Sequence, residues 1–334
     1  MTFVSLYSGA GADIYKPELW AMETLRIFFE NVGIRGKVHR DFSQEIAEHG
    51  DTVNTRIPEI MTAMDVGSED EIKSEGDILE PFSENVVVVL NKNQHVTFKI
   101  RDKLKTISFK NLIAEYMEPA ALGLVRAIEQ DGIAVMSHVT TGFDNAAAHQ
   151  IEPVTSPGGY TPAIYKLDYV AQIARELDQA FVPIGDRFHI VTPKALYDMT
   201  VGSDSNVALM LDASKVGGES FLRERRLGRL FGVDVEMQQS LATVADAGSL
   251  VYPDLAVDVN PFWWRNSVAY VSRNLESVDQ ALGVQMVSMS ERDESIRVSL
   301  QYDLMKKRSE ISLDKLWGWK VMRQNAGGVV KTAQ

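Results

Sequence analysis

The chain has 334 residues, 45% of them apolar, enough to bury one large core or two ordinary ones. Its 34 lysines and arginines face 46 aspartates and glutamates, a formal charge of -12, and it contains no cysteine. Disulfide scaffolds, thiolate zinc sites, cysteine catalysis and thiol redox chemistry are thereby excluded, and the acidic excess argues against a protein whose task is to coat a phosphate backbone.

The N-terminus lacks the basic region and apolar run of a secretory signal. No stretch approaches the roughly 20 apolar residues needed to span a bilayer, so the chain reads as a soluble, intracellular protein. Residues 1-16 are rich in Gly, Ala and Ser and read as an extended arm. Pro17 opens a helix where its missing N–H costs nothing; Leu19, Met22, Leu25, Phe28 or Phe29 and Val32 recur at helical spacing, and Gly33 is a natural stop. Strand-forming runs follow at Thr52 to Ile57, Val86 to Leu90 and His95 to Ile100. Between the first two lies Asp65 to Glu80, where Glu69, Asp70, Glu71, Glu75, Asp77 and Glu80 face the single cation Lys73. Such a segment builds no core, so the region reads as a long β-excursion with an acidic tip.

Ser108 to Val139 keeps three- and four-residue apolar spacing. Pro119 lacks the N–H an interior helix needs, so we expect a short helix running into a long one that starts near Pro119. Thr140 to Pro162 is loop-like, and an amphipathic helix carries Leu167, Val170, Ile173, Ala174, Leu177 and Phe181. Pro183 to Asp186 turns the chain into the strand Arg187 to Val191, and Thr192 caps a new helix with Pro193 at its first position. The C-terminal third alternates as strands at 284-289 and 296-302, and Ile311 to Val321 places Trp317 and Trp319 on one face of a last extended segment. The fold class is α+β.

Catalytic motifs are absent: there is no Walker loop, no nucleophile elbow and no helical His-x-x-x-His pair, and Gly9-Ala10-Gly11 has no strand before it. Asp254 and Asp258 read as solvated surface charge. The sequence assigns no catalytic residue, cofactor or metal. Two features stand out. One is the basic cluster Arg223, Arg225, Arg226 and Arg229, read as a solvated turn or an inter-subunit ion-pair site. The other is the acidic tip, whose long apolar arms call for burial against a second copy of the chain.

Several strings, in order, resemble the major capsid proteins of tailed bacteriophages, specifically the Salmonella short-tailed phage coat-protein group. They are Pro17-Glu18-Leu19-Trp20, Val38-His39-Arg40-Asp41-Phe42, Gly50-Asp51-Thr52-Val53, Glu118-Pro119-Ala120, Pro183 through Gly185 to Arg187, Gly228 to Val235, Leu300-Gln301-Tyr302-Asp303 and Ile311 to Lys320. The resemblance implies a Hong Kong 97-like capsid fold: an N-terminal arm at 1-50 that includes the first helix, an extended β-loop at 51-107, a peripheral domain with a spine helix at 108-149 and 281-334, and an axial domain at 150-280. It implies a coat protein that assembles as pentamers and hexamers into an icosahedral head around double-stranded DNA. Implied partners are a scaffolding protein, a portal protein, possible decoration proteins and weak nonspecific contact with DNA, with no membrane. Val233 to Phe262 leaves no room for the domain inserted in the Salmonella phage protein, and no helical leader precedes residue 17, so a separate scaffold is expected. Acidic residues 65-80 are expected to dock on a basic patch of the next subunit, with Arg223, Arg225 and Arg226 as candidates. The alternatives are an encapsulin-type compartment and, more distantly, an acidic cytosolic α+β enzyme.

Overall fold

In the computed structural model the described residues are 17–30, 33–40, 52–58, 83–101, 112–138, 141–143, 149–151, 164–201, 228–238, 243–245, 256–276, 284–291 and 294–333. Helix α1 (Pro17–Glu30) buries Trp20, Ala21, Leu25, Ile27 and Phe28. Met22, assigned to that face by its spacing, points to solvent instead, because Ala21 and Leu25 already fill the close approach to the sheet. A short 3-10 turn (Gly33–Lys37) follows, opened by Gly33 at a φ of 45°.

Strands β1 (Thr52–Pro58) and β2 (Ser83–Val89) form a two-stranded antiparallel ribbon in register from Thr52↔Val89 to Pro58↔Ser83. The acidic tip falls between these strands and lies outside the described residues. Strand β3 (Lys92–Arg101) leads to helix α2 (Leu112–Met136), which runs unbroken through Pro119. The expected break is therefore absent. Glu115, Tyr116, Glu118 and Pro119 all face solvent, so water can serve the Glu115 carbonyl that Pro119 cannot bond, while Met117, Ala120, Ala121, Leu124, Val125 and Ile128 stay buried on one face.

After β4 (His149–Ile151), helix α3 (Leu167–Gln179) and strand β5 (Arg187–Val191) comes helix α4 (Pro193–Val201). Its Thr192 cap is as read: Oγ1 accepts the Ala195 N–H at 3.1 Å. Strands β6 (Gly228–Leu230), β7 (Val233–Met237), β8 (Thr243–Ala245) and β9 (Ala256–Trp264) follow. The last strands are β10 (Val268–Arg273), β11 (Val284–Glu291), β12 (Glu294–Asp303), β13 (Arg308–Val321) and β14 (Gly327–Ala333).

Strand β13 organises a five-stranded antiparallel sheet. It pairs β3 along 308–317, β12 along 308–314 and β10 along 316–321; β11 extends the sheet beyond β12. Because residues 316 and 317 pair with both β3 and β10, those two strands must lie on opposite edges, which puts β10 and β12 end to end on one edge. Helices α1 and α2 cover one face and build the first core with Ile311, Leu313, Trp317 and Trp319. The seven-stranded sheet runs β4-β14-β9-β5-β7-β6, with β8 also on β9. Its core joins α3, α4, Val233, Val235, Phe262 and Val330.

The chain moves between these sheets three times: β3 is in the first, β4 to β9 in the second, β10 to β13 in the first, and β14 in the second. The expected division at 280 places β10 and β14 in other company. The cause is local. β9 and β10 are joined by the three-residue turn Arg265–Ser267, which carries no Gly or Pro to mark a boundary.

Candidate assembly surfaces

None of the nine residues singled out from sequence can be placed. Glu69, Asp70, Glu71, Glu75, Asp77 and Glu80, and Arg223, Arg225 and Arg226, all lie outside the described residues. Arg229 is described. Its exposed guanidinium donates to the Ile184 and Gly232 carbonyls at 2.9 and 3.4 Å, so it bridges two turns. Asp258, read as surface charge, is buried: its carboxylate accepts the Thr192 hydroxyl at 3.0 Å, and burial pushes its carboxyl above the usual range. The misreading follows from β9 being buried on both faces from Asp258 to Trp263, where alternation carries no signal.

The segment 33–40 is the N-terminal attachment. Arg35 is buried and donates to Glu294 Oε1 and the Phe28 carbonyl, both at 3.0 Å. Lys315, also buried, donates to Glu294 Oε2 and to the Ser295 carbonyl at 3.1 Å, and Tyr270 adds its hydroxyl at 3.2 Å. Both cations sit over the Phe28 ring, at 5.0 and 4.7 Å from its centroid. Burial alone would raise the Glu294 carboxyl, but Lys315 and Arg35 hold it below its ordinary value, so it is ionised. The backbone contributes too: His39 donates to the Val268 carbonyl at 2.9 Å and accepts from Tyr270 N–H at 3.0 Å, while Trp263 donates to the Lys37 carbonyl at 3.0 Å. A signal for this cluster was present in the sequence. Lys315 occupies the apolar parity of Ile311, Leu313, Trp317 and Trp319, where a charge must find a buried partner.

The ribbon β1–β2 is attached at its base. Val53, Val88 and Leu90 pack on Ala269 and Val271, and Gly318 lies so close to the Val89 carbonyl that a methyl there would overlap it. Val87 and Val89 present the opposite, exposed face.

Two further projections carry exposed apolar side chains. At the β12–β13 turn, Asp303 Oδ1 accepts the N–H groups of Met305 and Lys306 at 3.0 and 3.1 Å and Lys307 adopts a φ of 49°. This fixes a turn that leaves Met305 93% exposed beside Leu304. The second projection joins the turns at 180–186 and 231–232. Phe181 and Phe231 hold left-handed backbones, at φ of 55° and 50°, which bulky residues rarely adopt. Buried Arg187 ties this turn through the Pro183 carbonyl at 2.9 Å and Asp178 at 2.6 Å. Phe181 is 90% exposed, and Ile184 and Phe231 in these turns are exposed too. Both aromatics are thus held exposed by strained backbone.

Inside the seven-stranded sheet neutral hydrogen-bonded pairs are buried beside Arg187, Asp258 and Lys331. His189 Nδ1–H donates to the Pro261 carbonyl at 3.0 Å, so Nε2 accepts the Tyr165 hydroxyl at 2.5 Å; burial lowers the imidazole to about 4. Asn260 Oδ1 accepts the Thr192 N–H at 2.8 Å. Among the described residues no group of three or more His, Asp or Glu side chains could hold a metal, and no helix is long and apolar enough to cross a membrane.

By sequence, no known family and no curated protein matches this chain. Its structure is similar to the capsid asymmetric unit of cyanophage Pam1, with a TM-score of 0.62 at 11% identity over 90% of this chain and 91% of that one. The chain has the Hong Kong 97-like capsid fold. The capsid fold is shared with the capsid of cyanophage P-SCSP1u (TM-score 0.57, 12% identity, 87% and 86% covered) and with a protein of Mycobacterium phage Che8 (0.56, 16%, 89% and 90%). At these identities surface chemistry has diverged, so the likeness places the elements and leaves the contacts to this chain's own residues.

Proposed function

We propose that this chain is a phage major capsid protein that self-assembles, as pentamers and hexamers, into an icosahedral head around packaged double-stranded DNA. One observation carries the reading: the capsid fold extends over about nine-tenths of this chain and of the capsid structure it matches best in shape among those compared above. The projecting ribbon and the two apolar projections support it, because each offers surface that a neighbouring copy would cover. The protein has a structural role and no catalytic one, and it resides in the virion after assembly in the host cytoplasm.

In this reading residues up to 50 form the arm, 51-107 the extended loop, α2 the spine, the five-stranded sheet the peripheral domain and the seven-stranded sheet most of the axial domain. The acidic segment 65-80 docks on a basic patch of the adjacent subunit, with Arg223, Arg225 and Arg226 as the candidate partners. The short strings quoted above favour a relative of the Salmonella short-tailed phage coat proteins without their inserted domain, built on a separate scaffolding protein and closed by a portal, with decoration proteins optional. The net charge of -12 favours weak, nonspecific contact with DNA.

Electron microscopy of the chain expressed with its neighbouring gene products tests the function. Closed shells are expected; a monomer under all conditions contradicts it. An encapsulin-type compartment is separated by its cargo, since a peroxidase or ferritin gene would then replace the portal and terminase. Charge reversal at Arg223, Arg225 and Arg226 should block shells while leaving the subunit folded, and unaltered shells would refute that pairing.

A further inference from the structure

The segment 33–40 lies across the junction of the two sheets. Arg35 reaches β12, Lys37 pairs with Glu236 on β7, and the Lys37 carbonyl holds Trp263 on β9. Beneath this strap is a cavity of about 310 Å³ lined by α2, β5, the end of β7 and the strap itself. Glu129 of α2 stands in it, buried, accepting hydrogen bonds from the Ile34 backbone N–H and from Gln238 Nε2. Gly33 approaches so closely, at a φ of 45°, that any Cβ would overlap the Glu129 carboxylate.

We infer that Glu129 is an acid-closed latch: it holds the strap 33–40 seated across the two sheets at low pH and loosens it as the pH rises.

The reasoning is a cycle between two states of the strap. With the strap seated, the carboxyl is largely buried and packed against the Gly33 backbone; with the strap lifted, that cover is gone and it is fully hydrated. Removing a carboxylate from water disfavours the charged form, so seating the strap favours the neutral acid, and by linkage protonation favours seating. The direction of its titration agrees. Burial raises the carboxyl above its ordinary 4.5, against the pull of Arg35, the Ile34 amide, Gln238 and Lys37. The other charged groups around it are Arg35 and Lys37 on the strap, Arg126 on α2 and Glu236 on β7. Arg35 is engaged by Glu294 and Lys37 by Glu236, which limits the compensation they give to Glu129. The stabilisation is full below the ordinary carboxyl value and is lost as pH rises through the raised one.

Hydrogen exchange on the full chain tests this, and it reads the strap whether or not shells form. With amides of α3 as internal reference, the protection factor of the 33–40 amides should rise about tenfold between about pH 8 and about pH 4.5. In Glu129→Gln, a neutral side chain of the same shape, protection should stay high at both values, Gln238 turning its amide oxygen to meet the new donor. In Gly33→Ala it should be low at both. Glu236→Gln should keep the wild-type response. A wild-type strap insensitive to pH overturns the inference. So does a Glu129→Gln strap that still follows pH, or a response abolished in Glu236→Gln.

Discussion

The two sheets tie down their buried charges differently. In the five-stranded layer Arg35, Glu294 and Lys315, drawn from a strap and two strands, meet under Phe28. In the seven-stranded layer buried Arg187 is tied to the turn just before it, through the Pro183 carbonyl and Asp178, and neutral pairs, His189 with Tyr165 and Asn260 with Thr192, are buried beside it. Charge is the costlier choice, since an ion pair in a dry interior gains little over apolar packing and loses much when one partner goes. What it supplies is an anchor for a distant segment: Arg35 donates to Glu294 Oε1 at 3.0 Å, and Arg40 of the same strap stands 3.8 Å from that oxygen.

The largest expected effect strikes that contrast directly. Glu294→Ala strands two buried cations and should cost about 3–5 kcal/mol of subunit stability in urea unfolding, releasing the strap. If the loss is below that of any single change in the other layer, the contrast is wrong. Next is the pH response of the seven-stranded layer. His189 must charge when it unfolds, so stability should fall as the pH drops from about 6.5 toward 4, by roughly 3 kcal/mol at full extent, and His189→Gln should flatten this fall. The sign is opposite to that of Glu129, so one titration of global stability and strap exchange distinguishes the layers. Asn260→Ala should cost about 1–3 kcal/mol by leaving the Thr192 N–H unpaired, with thermal unfolding as the readout. Smallest in stability is Met305→Ser with Leu304→Ser, expected within about 0.5 kcal/mol of wild type. Under the proposed function the same pair should lower shell yield in electron micrographs, and normal shells would remove that turn from the contacts.

The elements legible in the sequence were those with a single period. The α3 stripe, the 3-4 spacing of α2 and the alternation of β12 and β13 each report one buried face. Strands β9, β10 and β14 escaped because most of their residues are buried on both faces, which removes alternation. Pro119 misled because a proline rule describes a lost hydrogen bond without saying whether the orphaned carbonyl faces water. Of the candidate contact residues, the acidic run and the arginines were visible as composition. The exposed Phe181 and Phe231 were not, since their outward aim depends on left-handed backbone at turns that a sequence cannot specify.

One feature of the topology bears on how the protein is made. Strand β14 lies between β4 and β9, yet it is synthesised after both. While a ribosome is still producing β10 to β13, the β9 edge that will take Gly327 to Ala333 is uncovered, and β4 has no partner on that side. The seven-stranded sheet is thus completed only once residues 327–333 have been made, and a nascent chain stalled before residue 327 presents an open strand edge, the kind of surface that pairs with strangers.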